Sequence, residues 1–371
     1  MKISRIRIFR ADLPMIEGSY SWSTQSHAGF DTTVVLVDTD EGLTGVGECC
    51  PLGPTYLPAY AHGVRAGIAQ LGPHLIDEDP TQLDRINSLM DAQLKGHPYV
   101  KSAIDMACWD ILGKVTGLPV YVLLGGKLQE KVTLYKVVSR ADPNAMAERI
   151  PEYRNQGFRQ FQVKVGEDPS TDIIRIHRVA EEMKAGEVLN ADANTGWKQH
   201  EALQVAHAIA DIGRQTGIRL TFEQPCLSYH ECLAVRQHTN LPFVLDECMD
   251  SISALLQAQH DHAMDMINLK ISRFGGITRA RQVRDLCVSL GLPMNVEDSW
   301  GGEITTAAIA HLAHSTPPEF QFQSSAFHKY STTQIATCAP SVQDGAMVVS
   351  NASGLGVEPI VDALEAVAEF N

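Results

Sequence analysis

The 371-residue chain contains no run of 18 apolar residues, so no membrane-crossing helix is expected. It also lacks a surplus of cations. Thirty Lys+Arg stand against 44 Asp+Glu, for a formal charge of −14. That balance speaks against a nucleic-acid or anionic-membrane partner, either of which needs a basic face. The eight cysteines (49, 50, 108, 226, 232, 248, 287 and 338) form no CxxC pair and no His–Cys metal spacing. A chain of this length needs no disulfide staples, so reduced thiols and a cytoplasmic location are expected. The first eight residues alternate charge and Ile rather than running apolar. They read as a strand, not as a signal peptide.

What is present is ordinary for a soluble globular protein: 44% hydrophobic and 20% charged residues. A chain of this mass buries about three quarters of its surface, enough for two domains. Residues 33–37 and 43–47 flank Asp38-Thr39-Asp40-Glu41-Gly42 and predict a hairpin. Before it, the small polar stretch 17–29 carries Tyr20 and Trp22 between Gly18 and Gly29. It reads as a surface loop or an active-site lid. Helical spacing follows near 59–72, 81–94 and 100–116, and Leu118-Pro119 with Gly125-Gly126 then breaks the chain. A capping domain over 1–126 is therefore expected.

From about residue 130 the pattern changes. Eight β-rich runs, at 134–138, 160–165, 188–192, 220–223, 243–246, 266–270, 294–297 and 320–323, alternate with helical segments. Alternation of this kind predicts βαβ units on a parallel sheet, and eight units in about 200 residues fit a closed barrel. The expected architecture is α/β: a (β/α)7-8 TIM-like barrel over 127–340 with an α+β N-terminal capping domain. Residues 341–371 are expected to return to the cap.

Six consecutive runs carry a charge at the last position or, for Lys164, the one before it: Lys164, Asp192, Glu223, Asp246, Lys270 and Glu297, at intervals of 28, 31, 23, 24 and 27 residues. In such a barrel the carboxyl ends of all strands open on one mouth, so these residues should converge. Asp192, Glu223 and Asp246 cannot all stay ionised together without a cation, and hard oxygen ligands suit Mg²⁺. Asn194 and Glu247 are candidates to support those ligands from behind. Lys164 and Lys270 lie on either side of the acids in strand order. A lysine near a metal is expected to have its ammonium disfavoured and to act as a base. Metal plus two opposed lysines suits proton transfer at a carbon α to a carboxylate.

At these residues the chain resembles the enolase superfamily, muconate-lactonizing subgroup. The resemblance rests on residues 96–110, Leu123-Leu124-Gly125-Gly126, Phe222-Glu223-Gln224-Pro225, Leu245-Asp246-Glu247 and Leu269-Lys270-Ile271-Ser272, and covers essentially the whole chain. It implies Mg²⁺ on Asp192, Glu223 and Asp246, acid/base roles for Lys164 and Lys270, and cap loops near 15–30 and 51–59 that close over substrate. The subgroup's Lys-x-Lys motif reads Gln162-Val163-Lys164 here, which removes one cation beside Lys164. Glu297-Asp298 ends the seventh run without a histidine base. Residues 50–56 and 297–304 look most like proline-derivative enzymes of the family, betaine 2-epimerases and cis-3-hydroxyproline dehydratases. Tyr56, Trp22, Gln162, Glu297, Asp298 and Phe327 are the candidate substrate-binding residues.

The reading is a Mg²⁺-dependent racemase or epimerase acting through an enolate on a small carboxylate, a proline or other amino-acid derivative. Dehydration after the same enolate step is the runner-up, and a homo-oligomer is expected by family analogy. A Schiff-base lysine barrel is the competing enzyme class. A non-catalytic protein on the same fold is the remaining alternative.

Overall fold

The computed structural model describes residues 1–371. Ile3–Pro14 pairs antiparallel with Gly29–Thr39 on one side and with Glu365–Phe370, near the end of the chain, on the other. Thr44–Cys49 completes this four-stranded sheet, joined by a turn in which Gly42 adopts φ 82°. The alternating Ile3, Ile6 and Ile8 face inward with Val35 and Val37. They pack on helices Ala61–Leu75, Leu83–Gln93 and Pro98–Thr116. The third helix starts on a proline at its first turn and stops at Gly117, whose φ of 69° is one that glycine adopts readily. It lies so close to the sheet that a Cβ on Gly47 would sit 1.9 Å from the Ala103 carbonyl oxygen.

Eight parallel strands follow in sequential order: Lys136–Val138, Gln160–Lys164, Val188–Asp192, Arg219–Glu223, Phe243–Leu245, Met266–Lys270, Met294–Glu297 and Gln321–Ser324. A parallel bridge between Leu134 and Ser324, with Tyr135 N–H donating to the Ser324 carbonyl at 3.0 Å, brings the eighth strand back to the first. α-Helices fill all seven crossovers, while only the 3-10 turn Phe327–Lys329 follows the eighth strand. The barrel is therefore (β/α)7β. In the C-terminal segment, Ser341–Gln343 and Ala346–Val348 form a hairpin that pairs with Val132–Thr133.

Two features join cap and barrel. Glu48, at the end of the cap sheet, accepts N–H bonds from Gly302 at 2.7 Å and Thr305 at 2.9 Å. It thereby caps the barrel helix Glu303–His314. The stretch 17–29 is not an irregular loop: Tyr20–Trp22 and Gln25–His27 form a hairpin. Its tip is tied to the end of the second barrel strand, Ser23 donating to the Val165 and Gly166 carbonyls at 3.0 Å each. Tyr20 and Trp22 are buried against Phe30 and, for Tyr20, Trp300, with ring centroids 4.8 to 6.2 Å apart. Strand propensity over three residues could not build this hairpin; tertiary packing of the aromatics does.

Candidate active site

Strand register sets the expected residues side by side in two groups. Lys164 is paired with Asp192, Asp192 with Glu223, and Lys270 with Glu297. Neighbouring strands lie about 4.8 Å apart, so these side chains form a ring around the mouth. Lys164 Nζ donates to Asp192 Oδ2 at 2.5 Å, and the Asn194 N–H donates to Asp192 Oδ1 at 2.8 Å. Across the ring, Lys270 Nζ lies 2.8 Å from Asp246 Oδ2, 2.8 Å from the Tyr56 hydroxyl and 3.6 Å from Glu297. Arg273 donates to Asp246 Oδ1 at 2.6 Å and to the Tyr56 hydroxyl at 2.9 Å, and that hydroxyl donates to Asp246 at 3.1 Å. Glu297 accepts the Tyr135 hydroxyl at 2.5 Å.

Glu223 sits between the two lysine groups and takes no ammonium. Its oxygens accept amide N–H groups from Asn190, from Asn268 at 2.6 Å and from Gln162 at 3.3 to 3.4 Å. Gln162 is thus turned onto Glu223. Asp298 is committed to the Ser272 and Ser299 N–H groups at 3.0 and 2.7 Å, which orders the start of the sixth-strand loop. Asn194 donates to Glu247 at 3.0 Å. Trp22 stacks on His27 at 4.9 Å and meets the Tyr56 ring edge-on at 6.4 Å; Phe327 packs on Trp300 at 5.0 Å. The hairpin and the 51–59 loop cover the mouth: Lys164 is 4% and Lys270 5% exposed. The open cleft of about 530 Å³ beside Trp109 and Arg281 lies elsewhere, and none of the strand-end residues lines it.

Burial raises Glu223 well above the usual carboxylate range, with Asp192 and Asp246 adding to the effect. Burial and the same two neighbours push Glu247 up to about 7. Asp246 is also pushed up by burial, but Arg273 and Lys270 outweigh that and hold it low. The lysines run against the sequence expectation. Burial would lower Lys164, yet Asp192, Tyr20 and Glu223 together raise it above its ordinary value. Lys270 is raised likewise, against burial, by Asp246 and Glu297. The reason is direct ion pairing, which sequence spacing does not reveal.

No three acids or imidazoles surround a common point. Charge and donor chemistry nonetheless suit a divalent cation. Five buried carboxylates, Asp192, Glu223, Asp246, Glu247 and Glu297, face only Lys164, Lys270 and Arg273. Two of the five can therefore ionise only if a further cation enters, in keeping with the raised Glu223 and Glu247, and Glu247 Oε2 and Asn194 Oδ1 are buried without partners. Hard oxygen donors of this kind fit Mg²⁺.

Residues 8–125 match the Mandelate racemase / muconate lactonizing enzyme N-terminal domain, and residues 145–363 match the Enolase C-terminal domain-like family. The chain belongs to the mandelate racemase/muconate lactonizing enzyme family of the enolase superfamily. It is an enzyme of the family's enolate chemistry, in which a proton α to a carboxylate is removed. It is 51% identical to the cis-3-hydroxy-L-proline dehydratase of Roseibium aggregatum over 100% of both chains. It is 30% identical to the N-succinyl-L-Arg/Lys racemase of Bacillus cereus over 85% of each. A mandelate racemase/muconate lactonizing enzyme structure from Roseovarius nubinhibens superposes with TM-score 0.95 at 40% identity, covering 100% and 98% of the two chains. Another superfamily member from that organism, solved with magnesium, gives TM-score 0.91 at 40% identity over 100% and 99%.

Against that family frame, sequence reading missed Arg273, Tyr135, Asn190 and Asn268. The last two carried a signal. Asn190 and Asn268 stand two residues before Asp192 and Lys270, hence on the same inward face of their strands.

Proposed function

We propose that the protein is a Mg²⁺-dependent dehydratase of cis-3-hydroxy-L-proline or a close relative. The observation that carries this reading is the 51% identity to such an enzyme across the full length of both chains. That identity moves weight from epimerisation to elimination. A polar substrate also fits the eighth-strand end, where Ser325 Oγ and the Gln323 amide are buried without partners. Asp192, Glu223 and Asp246 would hold the cation, with Asn194 and Glu247 behind them. When bound, the cation supplies a Lewis acid for the substrate carboxylate and offsets the charge that develops there. The eight free cysteines fit a reducing compartment, and a cytoplasmic homo-oligomer remains the expected form.

The two lysines do the proton work. They stand on the second and sixth of eight strands, half-way round the ring from each other. In the cis substrate the hydroxyl and carboxylate share one ring face, so the α-hydrogen lies on the face opposite the hydroxyl. One lysine, as free amine, takes that hydrogen. The C–H electrons are first held on the carboxylate as an enolate. They then form the C2=C3 bond as the C3–O bond breaks, and the other lysine, as ammonium, protonates the departing hydroxyl. Water leaves, and the enamine tautomerises to a cyclic imine. Neutralising Asp192 and Asp246 removes what now raises both lysines, and burial then favours a free amine. The 30% identity to a racemase favours epimerisation as the second reading: the second lysine would protonate Cα from the far face.

The test uses cis- and trans-3-hydroxy-L-proline with the wild type, Lys164→Ala and Lys270→Ala. The wild type should consume the cis isomer and spare the trans isomer, whose hydroxyl and α-hydrogen share a face. Each variant should lose dehydration by roughly 10²- to 10⁴-fold. The variant lacking only the acid should still exchange the α-proton of the cis isomer with solvent. Equal turnover of cis and trans would exclude opposed lysines. Inversion at C2 without water loss would establish the second reading.

A further inference from the structure

The layer beneath the mouth is polar, although barrel interiors are commonly filled by branched apolar side chains. Gln162, Asn190 and Thr221 share one register level on strands two to four, and Asn268, Asn295 and Gln323 share the corresponding level on strands six to eight. All six are buried, and Asn190, Asn268, Asn295 and Gln323 are 0% exposed. Burying so many amides is costly unless their bonds are made. Most of the bonds made here run to one destination, Glu223.

Asn190 and Asn268 donate to opposite oxygens of the Glu223 carboxylate, and Gln162 reaches both. Behind them stands a second rank. Thr221 donates to Asn190 Oδ1 at 2.8 Å, and Asn295 donates to Asn268 Oδ1 at 2.5 Å. An amide whose oxygen is taken from behind presents its NH₂ forward, so Thr221 and Asn295 fix which end of each amide meets Glu223. A glutamate side chain has three torsions and would otherwise sample several orientations. The cradle is also uncharged, so it orients the carboxylate without competing as a cation for the same lone pairs.

We propose that Asn190, Asn268 and Gln162, locked by Thr221 and Asn295, are positioning residues that aim Glu223 at the divalent cation and so set the metal affinity of the site. This rests on the Mg²⁺ reading above. Outer partners that orient ligands are typically worth 10- to 100-fold in metal affinity.

The test is Mn²⁺ titration, by electron paramagnetic resonance, of full-length protein stripped with chelator. Asn268→Ala should weaken Mn²⁺ binding roughly 10- to 100-fold. Thr221→Val, isosteric but without the hydroxyl, should weaken it several-fold, and Thr221→Ser should restore it. If Asn268→Ala fails to fold, the Val/Ser pair at 221 decides. A merely structural role would lower the melting temperature in chelator and leave Mn²⁺ affinity unmoved. Wild-type affinity in both Asn268→Ala and Thr221→Val, or Thr221→Ser as weak as Thr221→Val, overturns the cradle. A wild type that binds no Mn²⁺ overturns the metal reading itself.

Discussion

Removing Lys164 should cost the protein in chelator more stability than removing Lys270. Asp192 and Asp246 are both fully buried, but their support differs. Asp192 Oδ2 is bonded to Lys164, and the other oxygen holds only the Asn194 N–H at 2.8 Å. Without Lys164 a buried carboxylate is left with no cation in contact, a change that costs roughly 3 to 5 kcal/mol. Asp246 without Lys270 keeps Arg273 at 2.6 Å and Tyr56 at 3.1 Å. Glu297, 3.6 Å from Lys270, still accepts the Tyr135 hydroxyl at 2.5 Å and is already raised by burial, so it takes up a proton. The loss is nearer that of one charged hydrogen bond, roughly 1 to 3 kcal/mol. Urea denaturation of Lys164→Ala, Lys270→Ala and wild type in chelator measures both. Saturating Mg²⁺ should then narrow the gap between the variants, because a cation at Asp192 replaces the lost charge. At one fixed Mg²⁺ concentration the gain grows with affinity, about 2.7 kcal/mol at 100 times the dissociation constant and about 4.1 at 1,000 times, so Lys164→Ala, whose Asp192 is freed, gains more than Lys270→Ala. Equal losses in the two variants, or a gap that Mg²⁺ leaves untouched, would refute this account of the charges.

Glu48 titrates where cap meets barrel. Burial raises its folded pKa from 4.5 to about 7, against the bonds from Thr305, Gly302 and Thr32. A raised folded pKa gives stability that is complete below 4.5 and lost as pH rises through about 7. Relative to Glu48→Gln, the wild type should therefore lose roughly 3 kcal/mol over that window; a pH-independent difference between the two proteins would contradict the assignment. Trp22→Ala should open the hairpin over the mouth, since Trp22 is 2% exposed and stacked on His27. KM should rise and kcat fall together, by roughly tenfold or more. Unchanged steady-state kinetics would show that the hairpin does not cover the reaction.

The barrel was legible because six strand ends carry charge at one βα spacing, and the strand bounds fall within two residues of the β-rich runs. Register sets Lys164, Asp192 and Glu223 side by side and Lys270 beside Glu297, and the amides of Asn190 and Asn268 on Glu223 tie the two groups together. Three things were not legible. The hairpin at Tyr20–Trp22 owes its form to packing on Phe30 and Trp300, residues 10 and 280 positions from Tyr20. The lysine pairings depend on rotamers, which spacing does not specify. The amide layer was hidden because a polar residue at every second strand position looks like an ordinary solvent-facing alternation. Only closure of the barrel turns Asn190 and Asn268 inward onto Glu223.

The central claim is cation-dependent removal of the proton α to a carboxylate. Cis-3-hydroxy-L-proline incubated with the protein in D₂O and watched by proton NMR tests it most directly. With Mg²⁺ the α-proton signal should disappear as the cyclic imine forms; excess chelator should stop both changes, and added Mg²⁺ should restore them. Turnover that continues unchanged in chelator, or product whose α-proton has not been lost to solvent, would contradict it.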